Sequence, residues 1–198
     1  MQTPKLFTIG HSTRSTDEFI GLLRANGVER VIDIRTIPKS RHNPQFNSDA
    51  LAAALRSAGL DYVHLKALGG LRKPLRDSRN TAWRNASFRG FADYMQTPEF
   101  ADALSRAVDL AVEKPSALMC SEAVPWRCHR SLVADALVTR DIEVLEIVSS
   151  APPKPHKLIP FARVRGMQVT YPGGDDGGLF EEPASGKERS SSGRPRSA

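Results

Sequence analysis

The sequence predicts an α/β fold: a single-domain, open, mostly parallel sheet of about five strands with helices on both faces. Two observations predict it, and a third, which depends on the strands they place, points to a site. Short apolar runs alternate with amphipathic helical patterns about five times along the chain, the order that builds a parallel sheet with crossover helices. The 198 residues, 40% of them hydrophobic, suit one domain with an ordinary core. The unusual polar residues fall at the carboxyl ends of the expected strands, the rim on which open parallel sheets bind ligands.

The first strand is read at residues 6–9 and runs into Gly10, His11 and Ser12. Ser15 and Glu18 then form a capping box that starts a helix. Phe19, Leu22 and Leu23 give that helix its apolar face, and Gly27 stops it. Residues 30–34 are the second strand. Asn47 or Ser48 caps a second helix carrying Leu51, Leu55 and Ala58, and Gly59 ends it. Residues 60–65 alternate as a third strand. A long irregular stretch follows at 66–87, with Gly69, Gly70 and Pro74; loops of this length inside a domain usually serve function. Residues 88–95 form a short helix, and Thr97 caps another with Pro98 in its first turn. The fourth strand spans 117–120, a helix spans 128–138, and the fifth strand spans 142–148. Residues 167–171 are expected to add an edge strand. The domain is expected to occupy residues 1–172, with a disordered, basic tail rich in Gly, Ser and Pro at 173–198. There is no internal repeat.

The formal net charge is +6, and its placement matters more than its size. Lys187, Arg189, Arg194 and Arg196 concentrate in the tail. Lys66, Arg72, Lys73, Arg76, Arg79, Arg84 and Arg89 concentrate in the long loop and the start of the next helix, against Asp77 alone. That second cluster fits either a nucleic-acid partner or a solvated loop. Trp83, Phe88, Phe91 and Tyr94 lie among these charges, either to stack on bases or, at helical spacing, as a core stripe. The first residues lack the pattern of a signal peptide, and no apolar run reaches membrane-spanning length. The expectation is a cytoplasmic protein without a membrane partner. The two cysteines are then free thiols by default, with a disulfide between them left open.

Both cysteines fall in one eleven-residue segment, 120–130, that reads C-x-E-x-x-P-x-x-C-H-R. Cys128 is placed in the first turn of its helix, where unpaired N–H groups, Arg127 and Arg130 favour a thiolate. His129 would carry protons. Cys120 is the second thiol, at a strand end. Glu122 would act as a general acid or base, or pair with Arg127. His11, at the end of the first strand, completes the candidate catalytic set of Cys128, Cys120, Glu122, His129 and His11. Arg35, Arg41, Lys66 and Arg130, with Gly69 and Gly70, are the candidates to hold an anion. Cys120, Cys128, His129 and His11 could instead ligate a metal, but the spacing is not a standard zinc pattern, so no metal or cofactor is assigned. A phosphatase cradle, a Walker loop and a G-x-G-x-x-G fingerprint are all absent.

These stretches together resemble one family. They are residues 7–13, the V-I-D-I-R strand at 31–35 with Pro38 and Arg41, Asn43 to Phe46, residues 62–70, and the 120–130 motif. The chain is similar to the bacterial domain-of-unknown-function family 488 over roughly residues 6–172. That resemblance implies the fold and the place of the site, and no particular reaction. The V-I-D-I-R strand alone also resembles that of rhodanese-like sulfurtransferases. The leading expectation is a cysteine-dependent enzyme, with a thiol nucleophile or sulfur carrier, acting on a small anionic or nucleotide-like substrate. The competing expectations are a nucleic-acid-binding accessory protein with structural cysteines, and a metal-binding protein.

Overall fold

β1 (Lys5–Gly10) is buried on both faces, which only an interior strand with helices above and below can achieve. Its neighbours are β4 (Ser116–Cys120) and β5 (Glu143–Ile147), both parallel to it. β2 (Arg30–Asp33) pairs with β4 on one side and with β3 (Asp61–His64) on the other, again in parallel. A two-residue strand, β6 (Lys154–Pro155), closes the far edge antiparallel to β5. The order is β3-β2-β4-β1-β5-β6, so β1 and β4 lie side by side at the centre. The computed structural model describes residues 5–174, and none of their helices is long and apolar enough to cross a membrane.

Alternation along the strands divides the core in two. Phe7, Ile9, Val31, Ala117 and Met119 meet α1 (Thr16–Ala25) and α2 (Ser48–Ser57) on one face. Leu6, Ile32, Ile34, Leu118 and Cys120 meet α3 (Ala86–Tyr94), α4 (Pro98–Glu113) and α5 (Arg130–Val138) on the other. Caps are where the sequence places them: Ser15 accepts from Glu18 N, and Thr97 accepts from Phe100 N. α5 is buried at every residue from Arg130 to Leu137, so it is a central helix rather than a surface one.

Three expectations change. The 167–171 segment does not edge the main sheet. β8 (Gln168–Thr170) pairs with β7 (Arg163–Arg165) in a separate hairpin turning at Gly166, whose φ is 59°, because β6 already occupies the outer edge of β5. α5 starts two residues later than expected. Pro125–Arg127 forms a 3₁₀ turn and Cys128 is extended, at φ −136° and ψ 140°. Its carbonyl accepts from Ser131 N and Ser131 Oγ, so Cys128 precedes the helix rather than lying in its first turn. Contacts with the domain also continue one residue past the expected boundary: Gly173 N donates to Thr81 Oγ1 at 2.9 Å. The tail beyond residue 174 lies outside the described residues.

Candidate functional site

The ladder between β1 and β4 continues past both strand ends. His11 N donates to Cys120 O at 2.9 Å and Ser12 N to Ser121 O at 2.8 Å. Gly10 makes this approach feasible, since a Cβ there would lie 1.7 Å from the carbonyl oxygen of Glu122. The exits of β1, β2 and β4 thereby enclose a cleft of about 850 Å³. It lies where parallel sheets bind ligands.

Cys120, Cys128 and His129 line this cleft. His129 Nε2 donates to Ile34 O at 3.2 Å, which leaves the lone pair on Nδ1. That Nδ1 faces Cys128 Sγ at 3.8 Å and Cys120 Sγ at 3.9 Å. Gly70 packs flat on the ring, where a Cβ would lie 2.5 Å from Nδ1. The two thiols are driven apart in acidity. The Cys128 thiol and then His129 hold Cys120 well below the usual thiol range, against burial. The same contact, with burial, pushes Cys128 well above it. The contact therefore favours the negative charge on Cys120 over Cys128. The sequence places the favoured thiolate on Cys128, through a helix N-terminus; the observed contacts favour the strand-end cysteine. Both cysteines are free.

His11 and Arg35 line the neighbouring wall. Asp33 is fully buried and grips Arg35 through Nε at 2.9 and 3.1 Å and Nη2 at 2.5 Å, while Tyr62 donates to the same carboxylate at 2.8 Å. Burial works against the charge of Arg35, but Asp33 outweighs it and the guanidinium stays protonated. Its Nη1 lies 3.3 Å from His11 Nε2, and His11 Nδ1 donates to Ser12 O at 2.8 Å. Burial lowers the His11 pKa, and its ring stacks on Phe46 at 4.2 Å. His11 is therefore a neutral wall residue with both nitrogens engaged, and it adds no fourth metal ligand.

Three donors do converge. Cys120 Sγ, Cys128 Sγ and a His129 ring nitrogen lie within 4.8 Å of one another and could hold one thiophilic ion.

The other expected residues divide. Glu122 is exposed on the cleft lining and makes no ion pair with Arg127 among the described residues. Gly70 reaches the lining; Gly69 instead packs against Thr36. Arg41 and Lys66 are exposed and lie off the cleft. Lys66 follows β3, an edge strand two places from β4, which is too lateral for it to reach the centre. Arg130 is buried and turned inward: it donates to Glu122 O at 2.7 Å and to Ala123 O at 3.0 Å, bracing the cysteine loop rather than facing a substrate. The cations that line the cleft are Arg35, Lys39 and Arg127. Sequence reasoning misses Lys39, whose signal is its place just past the second strand, beside Pro38. It finds Arg127 only as a neighbour of the thiols.

The aromatic residues of the basic loop are engaged internally. Trp83 stacks on Phe88 at 4.7 Å, and Phe91 packs edge-on against Phe100. Arg72 lies over Tyr94 at 3.6 Å, and Arg89 donates to Trp83 O. No curated protein and no solved structure matches the chain. The family profile described as Domain of unknown function DUF488 matches residues 15–137, from the cap of α1 to the last turn of α5, and the chain belongs to that family.

Proposed function

We propose that this protein is a cysteine-dependent enzyme acting on a small anionic substrate bound in the cleft, with Cys120 as its nucleophile. The observation that carries the reading is a buried thiol with a second thiol and a lone-pair imidazole nitrogen as neighbours, at the base of a cleft lined by Arg35, Lys39 and Arg127. A substrate anion would sit against these cations, with its electrophilic atom over Cys120. Attack by the thiolate would form a bond to that atom and expel a leaving group, to which His129 Nδ1 could pass a proton taken from Cys128.

The test is alkylation with iodoacetamide across pH, read cysteine by cysteine through peptide mass spectrometry. Cys120 is expected to label at pH 6, where an ordinary thiol of pKa about 8.5 is almost wholly protonated. Cys128 is expected to lag. Equal, ordinary titration of both thiols would remove the reading. The competing nucleic-acid role makes the opposite forecast: affinity that falls steeply with salt and survives Cys120→Ser.

A further inference from the structure

A nucleophile that attacks carbon or phosphorus needs one thiol. This cleft holds two, both facing a single imidazole nitrogen at 3.8 and 3.9 Å. Both sulfur atoms lie with that nitrogen inside a 4.8 Å group, and both cysteines line the cleft. The loop between them is braced from beneath by Arg130, whose guanidinium holds the carbonyls of Glu122 and Ala123. Cys128, though packed into the core, brings its sulfur to the same imidazole that Cys120 meets. We infer that Cys128 is a second catalytic thiol and that the substrate is a small anionic compound with an electrophilic sulfur, such as a disulfide. This inference rests on the reading of Cys120 as nucleophile and names the reaction class.

The steps balance without a resident cofactor. The Cys120 thiolate attacks one sulfur of the substrate disulfide; the substrate S–S bond breaks, a mixed disulfide forms on Cys120, and the first substrate thiolate leaves. That attack removes the negative charge next to Cys128. His129 Nδ1 then takes the Cys128 proton, and the new thiolate attacks Cys120 Sγ. A Cys120–Cys128 disulfide forms, and the second substrate thiolate leaves with the proton from His129. The substrate gains two electrons and the protein loses two. An external dithiol reductant restores the pair by the same exchange, ending as a disulfide itself. The cations at the cleft would favour an anionic disulfide over a neutral one.

The experiment uses the full chain, reduced and freed of reductant, with the anionic aryl disulfide dithio-bis-nitrobenzoate as probe. Wild-type protein should release two equivalents of the coloured thiolate and end as an adduct-free species two hydrogens lighter by intact mass. Cys128→Ser should release one equivalent and retain the other as a mixed disulfide on Cys120. Cys120→Ser should lose the fast phase, with circular dichroism checking that both variants fold. A stable mixed disulfide on the wild-type protein would overturn the inference and leave Cys120 as nucleophile. Thiols that stay inert would overturn both readings. Reaction that appears only after chelation would assign the three donors to a metal ion and likewise overturn the inference.

Discussion

Helix α5 joins two buried polar clusters that use similar chemistry to opposite ends. Its N-cap residue, His129, faces the two thiols; Asp135, in its middle, belongs to a closed group. Asp135 is fully buried and accepts from Tyr171 OH at 2.8 Å and from Ile159 N at 3.2 Å. It also meets His156 Nε2 at 2.7 Å, and Glu146 meets His156 Nδ1 at 2.7 Å. In that group both imidazole nitrogens have a carboxylate, so the ring is held as a cation and every charge has a partner. At the thiols the imidazole has one bond to oxygen, Ile34 O at 3.2 Å, and its other nitrogen faces the two sulfurs at 3.8 and 3.9 Å with no carboxylate partner among the described residues. A satisfied network fastens the chain; a partly satisfied one leaves capacity for a substrate. The Asp135 cluster ties residues 156–171 onto the core, while the thiol cluster opens to the cleft.

The comparison breaks most sharply at Asp135. Asp135→Ala removes the counter-charge of a buried imidazolium and the acceptor of Tyr171, and should cost about 3–5 kcal/mol in urea unfolding. Thiol reactivity in the remaining folded protein should be unchanged. A loss under about 1 kcal/mol would mean that the cluster does not clamp the C-terminal segment.

pH sharpens the same contrast. Burial alone would depress the His156 pKa, but Asp135 and Glu146 outweigh it and raise it to about 9, from an ordinary value of 6.5. A raised folded pKa means stabilisation that is complete below about pH 6.5 and is lost as pH climbs through 9. The melting temperature should therefore fall over that window, and His156→Gln should flatten the dependence. A wild-type profile with the same slope as His156→Gln would refute the assignment.

The smallest expected effect is at Gly70. An added methyl would press on His129 Nδ1 and tilt the ring from the sulfurs. Gly70→Ala should slow alkylation of Cys120 at pH 6 by roughly tenfold, about 1.4 kcal/mol of barrier, in the protein that remains folded. If the rate holds, the ring does not set the thiolate.

The fold is legible in the sequence because its signals are local. The capping box at Ser15, the Thr97 and Pro98 pair, and the apolar runs each specify an element without reference to distant residues. The rim is legible too, since parallel strands must deliver His11, Arg35 and Cys120 to one end of the sheet. The direction of side chains is not. Arg130 reads as a free cation, yet it turns inward because the carbonyls of a loop that Gly10 admits need a donor. The Asp135, His156 and Tyr171 cluster joins residues far apart in the chain, so no spacing announces it. The edge strand is misplaced for a similar reason. Lys154 and Pro155 have low strand propensity, and only their pairing with β5 makes them the sheet's outer edge.

The burial of α5 also bears on how freely this sequence can drift. In α2 only Leu51 and Leu55 are buried, so most of its positions can exchange side chains at little cost. From Arg130 to Leu137 no position faces water, and the flanking Cys128 and His129 serve the cleft. A saturation library across residues 128–137 should therefore contain almost no silent substitutions: changes at one end would alter the cleft, and those further along the packing.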